Sequence, residues 1–269
     1  MKEPTTAGEW NAGAYHRVSD PQFQWGLRVL ERLRLRGTER VLDAGCGTGR
    51  LTRVLAERVP KGVVVACDLS ENMVRAAATT LDARPALPEH TAAIGVVRAN
   101  LLALPWIHAF DIVFSTATFH WVPDHERLFT ELRTVLIARG VLEAQCGGGP
   151  NLARVHARAK AVTSAARYRP YYEGWRDPWL FASAEETEER LRLAGFTEVR
   201  CWLEEAPTQF RDAADYRAFL QAVVMRPFLA PLPATLRDDL LDSLVADART
   251  DDPAFTLDYW RLNISAVAA

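Results

Sequence analysis

The chain predicts an α/β fold with a parallel sheet. Through its first 146 residues, short β-branched runs alternate with segments of helical period. The first of these runs passes directly into a Gly-x-Gly-x-Gly turn and then a helix. Apolar residues make up 49% of the 269 residues and charged ones 25%, enough to bury a core and too balanced for disorder.

The elements follow in order. Arg40–Ala44 is a strand, and Leu51, Val54, Leu55 and Val59 then recur at helical spacing. Val63–Cys67 is a second strand, and Ser70 caps a helix that carries Met73 and Val74 on its apolar side. Ile94–Arg98 and Phe110–Ser115 read as the third and fourth strands. His125–Leu136 is a helix with Leu128, Leu132, Val135 and Leu136 on one face, stopped by Gly140 before a strand at Val141–Cys146. After the break at Gly147–Pro150, residues 151–182 are aromatic and basic without strand signal. Ser183–Ala194 is a helix stopped by Gly195, Glu198–Glu204 a strand, 208–250 helical with prolines as punctuation, and Leu257–Val267 a last strand. Two helical insertions into one α/β domain account for this order.

Charge and composition narrow the functional classes. Lys plus Arg is 32 and Asp plus Glu is 34, a net charge of −2 that gathers no polyanion and argues against a general nucleic-acid binder. Apolar stretches are far below the ~20 residues of a bilayer span. The polar segment Met1–Trp10 has no signal-peptide character, so a cytoplasmic protein is expected. Cys46, Cys67, Cys146 and Cys201 show no Cys-x-x-Cys spacing, so they read as reduced thiols and no metal is expected.

The sharpest motif is Val41-Leu42-Asp43-Ala44-Gly45-Cys46-Gly47-Thr48-Gly49. Glycines here let the backbone turn tightly and let a ligand lie against the main chain. The second strand leads into Asp68, an acid placed to accept from both hydroxyls of a ribose. A dinucleotide fingerprint would place the third glycine one residue later, and Asp43 before the turn would repel a diphosphate but suit an ammonium. S-adenosyl-L-methionine, with an amino-acid head, a sulfonium and no phosphate, fits these residues. A nicotinamide or flavin cofactor, or a purely structural turn, fits them less well. No Gly-x-x-x-x-Gly-Lys is present, which excludes an ATP P-loop.

On these residues the sequence resembles the class I S-adenosylmethionine-dependent methyltransferases, strongly over residues 10–146 and more loosely beyond. The resemblance implies a Rossmann-like, mostly parallel seven-stranded sheet with helices on both faces and helical cap insertions. It further implies one domain over 1–269: a cofactor-binding core at about 26–146, an N-terminal lid at about 1–25, and caps at about 147–182 and 207–256. Carried over by position, Asp43, Gly45, Gly47 and Gly49 would hold the methionine moiety and Asp68 the ribose. Leu69 and Met73 would flank the adenosine, and Ser115 and Thr116 would approach the sulfonium. Asn100 stands where the group usually has an adenine-binding Asp, and its amide oxygen can still accept; Leu101 and Tyr15 complete the expected cofactor set.

Three separated matches narrow the group. Trp10-Asn11-Ala12-Gly13-Ala14-Tyr15, Phe119-His120-Trp121-Val122-Pro123-Asp124-His125 and Met225-Arg226-Pro227-Phe228-Leu229 are similar to segments of the trans-aconitate methyltransferases. His120 replaces a Gln of that group, and Gln145-Cys146-Gly147-Gly148 differs from its usual Gln-Met-Pro. The Asn/Asp-Pro-Pro-Tyr/Phe of amino-methylating DNA enzymes is absent after the fourth strand, where Ser115-Thr116-Ala117-Thr118-Phe119 stands. A small-molecule acceptor is therefore expected, with no nucleic acid or membrane partner, in a monomer or homodimer.

A carboxylate acceptor is already a nucleophile at neutral pH, so orientation supplies most of the rate and no base is required. The candidates that would orient it are His120, Trp121 and Arg226, with Tyr171, Tyr172 and Trp175 as an aromatic lid. Arg226 reads as an anion clamp. His120 reads as a donor to a carboxylate, as a base for a hydroxyl, or as a structural histidine. Glu143 and Glu173 are weaker candidates for a base. O-methylation of a carboxylic acid is the leading expectation. C-, O- or N-methylation of an isoprenoid or other metabolite, and a non-enzymatic cofactor-binding regulator, are the alternatives.

Overall fold

The computed structural model describes residues 9–82 and 91–269; the first eight residues of the expected lid lie outside this range. Strand β1 (Arg40–Ala44) is the third strand of a seven-stranded sheet. Around it stand β2 (Val63–Asp68), β3 (Ala93–Arg98), β4 (Phe110–Thr116) and β5 (Leu136–Gly147). The long strand β6 (Phe196–Glu205) and the C-terminal β9 (Trp260–Ala268) complete it, in the order β3-β2-β1-β4-β5-β9-β6. The first five pair in parallel, and β9 runs antiparallel between β5 and β6. The short strands β7 (Thr208–Gln209) and β8 (Thr256–Leu257) pair with each other apart from this sheet.

Alternation along the central strands covers both faces. Val41, Ile112 and Phe114 pack under α2 (Asp20–Leu30) and α3 (Arg50–Arg58), through Val29, Leu30 and Leu55. Leu42, Ala44 and Val113 point the other way, to α5 (His125–Val135) and α7 (Ala184–Leu193). This is the period-2 pattern of strands buried on both sides. Ser183 caps α7 in a reciprocal capping box with Glu186, which sets the start of that helix.

Several boundaries differ from the expectation. The strand expected over Leu257–Val267 is split into β8 and β9, and the stretch expected to be helical from 208 opens with β7. The helix expected to run to Leu136 and stop at Gly140 ends at Val135, and Gly140 lies inside β5. Leu136 pairs with Phe110, and the register then shifts before Ile112 meets Val141. Arg139, at φ 64°, takes up the extra chain.

The helical segments share a second core. Helix α1 (Ala12–Val18) leads to α2, and α4 (Glu71–Asp82) follows β2. Helix α6 (Ala153–Thr163) packs on α10 (Ala234–Ala248). Between them stand α8 (Ala213–Phe219), a π-helical turn at Leu220–Val224 and α9 (Arg226–Leu229). Val155, Tyr168, Tyr216, Phe219, Phe228 and Leu244 are buried together with Trp25 of α2. Helix α2 thus spans the expected lid–core boundary at residue 25, with Trp25 in the cap core and Leu30 under the sheet. Among the described residues no helix is long and apolar enough to cross a membrane.

Candidate active site

The C-terminal ends of β1, β2, β4 and β5 open on one side, where the loops after parallel strands form ligand sites. Gly45, Gly47 and Gly49 follow β1 with φ of 85°, 54° and 80°, a region L side chains rarely adopt. A Cβ at Gly45 would meet the Thr118 hydroxyl oxygen at 2.1 Å, whereas one at Gly47 would meet nothing within 4 Å. Gly47 therefore borders open space, and it keeps that space clear of side chain. A cavity of about 60 Å³ lies beside the loop, lined by residues that include Tyr15, Gln22, Asp43, Gly47, Arg50 and Thr116.

Asp43 is buried, and its Oδ2 accepts the Thr52 hydroxyl at 2.6 Å. Burial pushes its carboxyl up to about 7, against the opposing effect of the Thr52 bond. Asp68 is held from two sides: the Gly47 N–H donates to Oδ2 at 3.0 Å and the Ser70 N–H to Oδ1 at 2.9 Å. Burial outweighs these bonds and raises its carboxyl above the usual range. Tyr15 sits among the Asp68, Arg50 and Arg261 charges, with its phenol pushed up to about 12, chiefly by burial.

The other expected cofactor residues divide. Met73 is buried in α4, Leu69 is 45% exposed beside it, and Thr116 lines the cavity. Asn100 is exposed and its Oδ1 caps the Leu102 N–H at 3.0 Å, while Leu101 packs into the core. Ser115 needs correction. It is buried and its hydroxyl donates to the Ala44 carbonyl at 2.6 Å, so it ties β4 to β1 instead of reaching outward.

His120 lies in a short 3-10 turn after β4. Its Nδ1 accepts the Gly147 N–H at 3.2 Å. A backbone N–H only donates, so Nδ1 carries no proton and the ring proton sits on Nε2. Burial, helped by the Arg261 and His125 charges, holds the imidazole neutral by pushing its pKa well down. Trp121 packs between Trp10, at 5.3 Å, and Trp179, at 5.4 Å.

Aromatic residues that sequence reasoning missed extend this wall. His156 stacks on Trp179 at 4.7 Å and near Phe181 at 5.8 Å, and its buried Nε2 has no partner among the described residues. Burial pushes its pKa down to about 4. Trp175 lies 4.8 Å from Phe228, and Tyr172 donates its hydroxyl to the Phe228 carbonyl at 2.5 Å. Tyr172 and Trp175 thus join the wall. Tyr171 does not: it is 40% exposed and stacks on no ring among the described residues, which removes it from the expected aromatic lid. Arg226 places its guanidinium 3.9 Å from the Trp10 ring centre and donates to the Glu9 carbonyl at 3.0 Å. Glu143 is paired with Arg32 at 3.2 Å, within a buried network.

Comparison with known proteins decides the class. A family described as a methyltransferase domain matches residues 42–144, the stretch from β1 through β5 that builds the glycine loop and both acids. The chain carries a methyltransferase domain and is an S-adenosylmethionine-dependent enzyme. The methyltransferase is 29% identical over 246 residues to the trans-aconitate 2-methyltransferase of Variovorax paradoxus, covering 87% of this chain and 86% of that protein. It is 32% identical over 137 residues to the protein of that name from Escherichia coli, about half of each chain. The fold is shared with phosphoethanolamine N-methyltransferase 2 of Haemonchus contortus in complex with S-adenosyl-L-methionine. That likeness has a TM-score of 0.59 at 18% identity, over 96% of this chain and 56% of that one. The two acids, the glycine turn and the open space at Gly47 fit this cofactor by their own chemistry.

Proposed function

We propose that the enzyme methylates a carboxylate oxygen of a small organic acid similar to trans-aconitate. The observation that carries the reading is the Gly147 N–H donated to His120 Nδ1. It fixes a neutral imidazole whose other nitrogen is a donor, suited to orient an ionised acceptor and unsuited to take a proton from a hydroxyl. The relatives named as trans-aconitate 2-methyltransferases support the same acceptor class.

Within this reading, Asp43 holds the ammonium of the cofactor and Asp68 its ribose hydroxyls. The glycine loop lets its chain lie on the backbone. When bound, S-adenosyl-L-methionine supplies an electrophilic methyl group to the acceptor oxygen. The protein's share is placement: His120 donates from Nε2 to the acceptor, and Trp121, Trp179 and Phe181 exclude water around it. Tyr172 and Trp175 close the far end, and residues 9–25 with the two caps form a cover over one catalytic domain.

The aromatic wall favours a second reading, in which the acceptor has a large apolar body and a hydroxyl or carbon is methylated. One assay separates the two. S-adenosylhomocysteine release is measured over trans-aconitate, other polycarboxylates, aryl and isoprenoid acids, and matched alcohols. Turnover of acids alone supports the proposal; turnover of alcohols or hydrocarbons alone removes it.

A further inference from the structure

Arg261 is the most deeply buried arginine of the described residues, at 3% exposure on β9. Several partly buried arginines meet carboxylates: Arg158 meets Asp251 at 2.7 Å and Arg32 meets Glu143 at 3.2 Å. Among the described residues no carboxylate lies within 4.0 Å of the Arg261 guanidinium, whose Nε donates to Gln145 Oε1 at 3.4 Å. Its two terminal nitrogens donate to nothing described. The rings of Trp25 and Tyr259 flank it at 4.5 and 5.9 Å. A buried cation without a counter-charge is costly, so natural cores rarely keep one unless something pairs with it.

Its surroundings hold it in one pose. Gln145 faces Asn263 across the β5–β9 ladder and donates Nε2 to Asn263 Oδ1 at 2.6 Å. Asn263 Oδ1 also accepts from Arg32 at 2.5 Å. These bonds assign the Gln145 amide, turning Oε1 toward Arg261. A chain running from Glu143 through Arg32, Asn263 and Gln145 therefore fixes one nitrogen of Arg261 and leaves the forked end free.

The position is on the acceptor side. Arg261 pairs with Gly147, the residue whose N–H binds His120. Strand β9 is three places from β1 in the sheet, ~14 Å at the usual strand spacing, whereas the cofactor's loop and ribose acid belong to β1 and β2.

We propose that Arg261 is the specificity-determining anchor for a carboxylate of the acceptor, distinct from the one that is methylated. The inference rests on the carboxylic-acid reading above. A guanidinium grips a carboxylate through two parallel bonds, which orients a spectator group firmly but would blunt the nucleophilicity of a reacting one. The reacting oxygen falls to His120, and the spectator to Arg261.

The test uses Arg261→Met and Arg261→Lys in the full chain. Removing an unpaired buried charge leaves the melting temperature unchanged or raised. Arg261→Met raises the KM for trans-aconitate at least 30-fold and keeps S-adenosyl-L-methionine affinity within twofold, while Arg261→Lys recovers part of the loss. Titration of trans-aconitate into the S-adenosylhomocysteine complex gives a parallel fall in affinity. An unchanged KM, or a global loss of folding in Arg261→Met, overturns the proposal. So does an equal loss of cofactor affinity, which would assign the guanidinium to the cofactor's own carboxylate. If the wild type binds trans-aconitate through Arg261 but methylates no acid, the anchor stands and the carboxylate-methylation reading fails.

Discussion

The Arg226 guanidinium stacks over the Trp10 ring at 3.9 Å and donates to the Glu9 carbonyl, joining α9 to the N-terminal segment. Glu9 in turn accepts from the Ser70 hydroxyl at 2.7 Å and from the Glu71 and Asn72 N–H groups at the start of α4. These hydrogen bonds, led by Ser70, hold the Glu9 carboxyl below its usual range. The N-terminal segment is thereby strapped across the outlet of β2, next to Asp68. Arg226, read from sequence as an anion clamp, is placed as the latch of that strap.

Removing the latch should loosen the strap. A cation–π contact is worth about 0.5–2 kcal/mol, so Arg226→Ala should weaken cofactor affinity about twofold to about 30-fold. Hydrogen exchange over residues 9–25 and 147–182 should be faster in that variant. In the wild type it should slow when S-adenosyl-L-methionine is added. Equal exchange with and without cofactor would remove the cover.

Asp68 should matter more. Its carboxylate takes two backbone N–H groups and, in the proposed complex, the ribose hydroxyls. Asp68→Ala should cost on the order of 1.5–3 kcal/mol of cofactor binding, as expected for charge-assisted bonds. Calorimetry with an unchanged dissociation constant would take Asp68 out of the ribose site.

The loop and its acids were legible because they are local. Arg40–Ala44 forms the expected strand, and Gly45, Gly47 and Gly49 take the left-handed conformations their spacing implies. The start of β5 was not. Leu136 continues the helical period of Leu128 and Leu132, and only its pairing with Phe110 makes it a strand. Arg261 and Asn263 were missed for a similar reason. Arg32 lies 231 residues from Asn263, and the antiparallel insertion of β9 beside β5 brings them together. A charge and an amide amid the apolar run Tyr259–Ile264 were the available signal.

Cofactor affinity should depend on pH through Asp43. Burial raises its pKa to about 7, so near pH 6 the carboxyl is mostly protonated and cannot pair with an ammonium. Its native pKa is above the unfolded value, so the free fold binds the extra proton between about 4 and 7 and loses stability as pH rises through that window. Cofactor binding runs the opposite way and should tighten from pH 6 to 7.5. Asp43→Asn should bind weakly and with a flat profile. A wild-type dissociation constant that ignores pH over this range would show that Asp43 does not hold the ammonium.

His120→Gln discriminates between the chemistries. The imidazole accepts from Gly147 through Nδ1 and has only an N–H to offer the acceptor. A glutamine can reproduce both roles, its amide oxygen accepting from Gly147 and its NH₂ donating to the acceptor. With a carboxylate acceptor no proton leaves the nucleophile, so the variant should retain kcat within about tenfold, and its pH–rate profile should keep the wild-type shape. With a hydroxyl acceptor the imidazole would have to take a proton, and glutamine cannot, so the rate should fall ~10²–10⁴-fold. His120→Leu serves as the control: it removes both bonds, leaves the Gly147 N–H unsatisfied, and should lose activity in either case. Steady-state kinetics of the two variants at saturating cofactor therefore read out the role of His120. A nearly inactive glutamine variant with intact cofactor binding would sink the carboxylate reading.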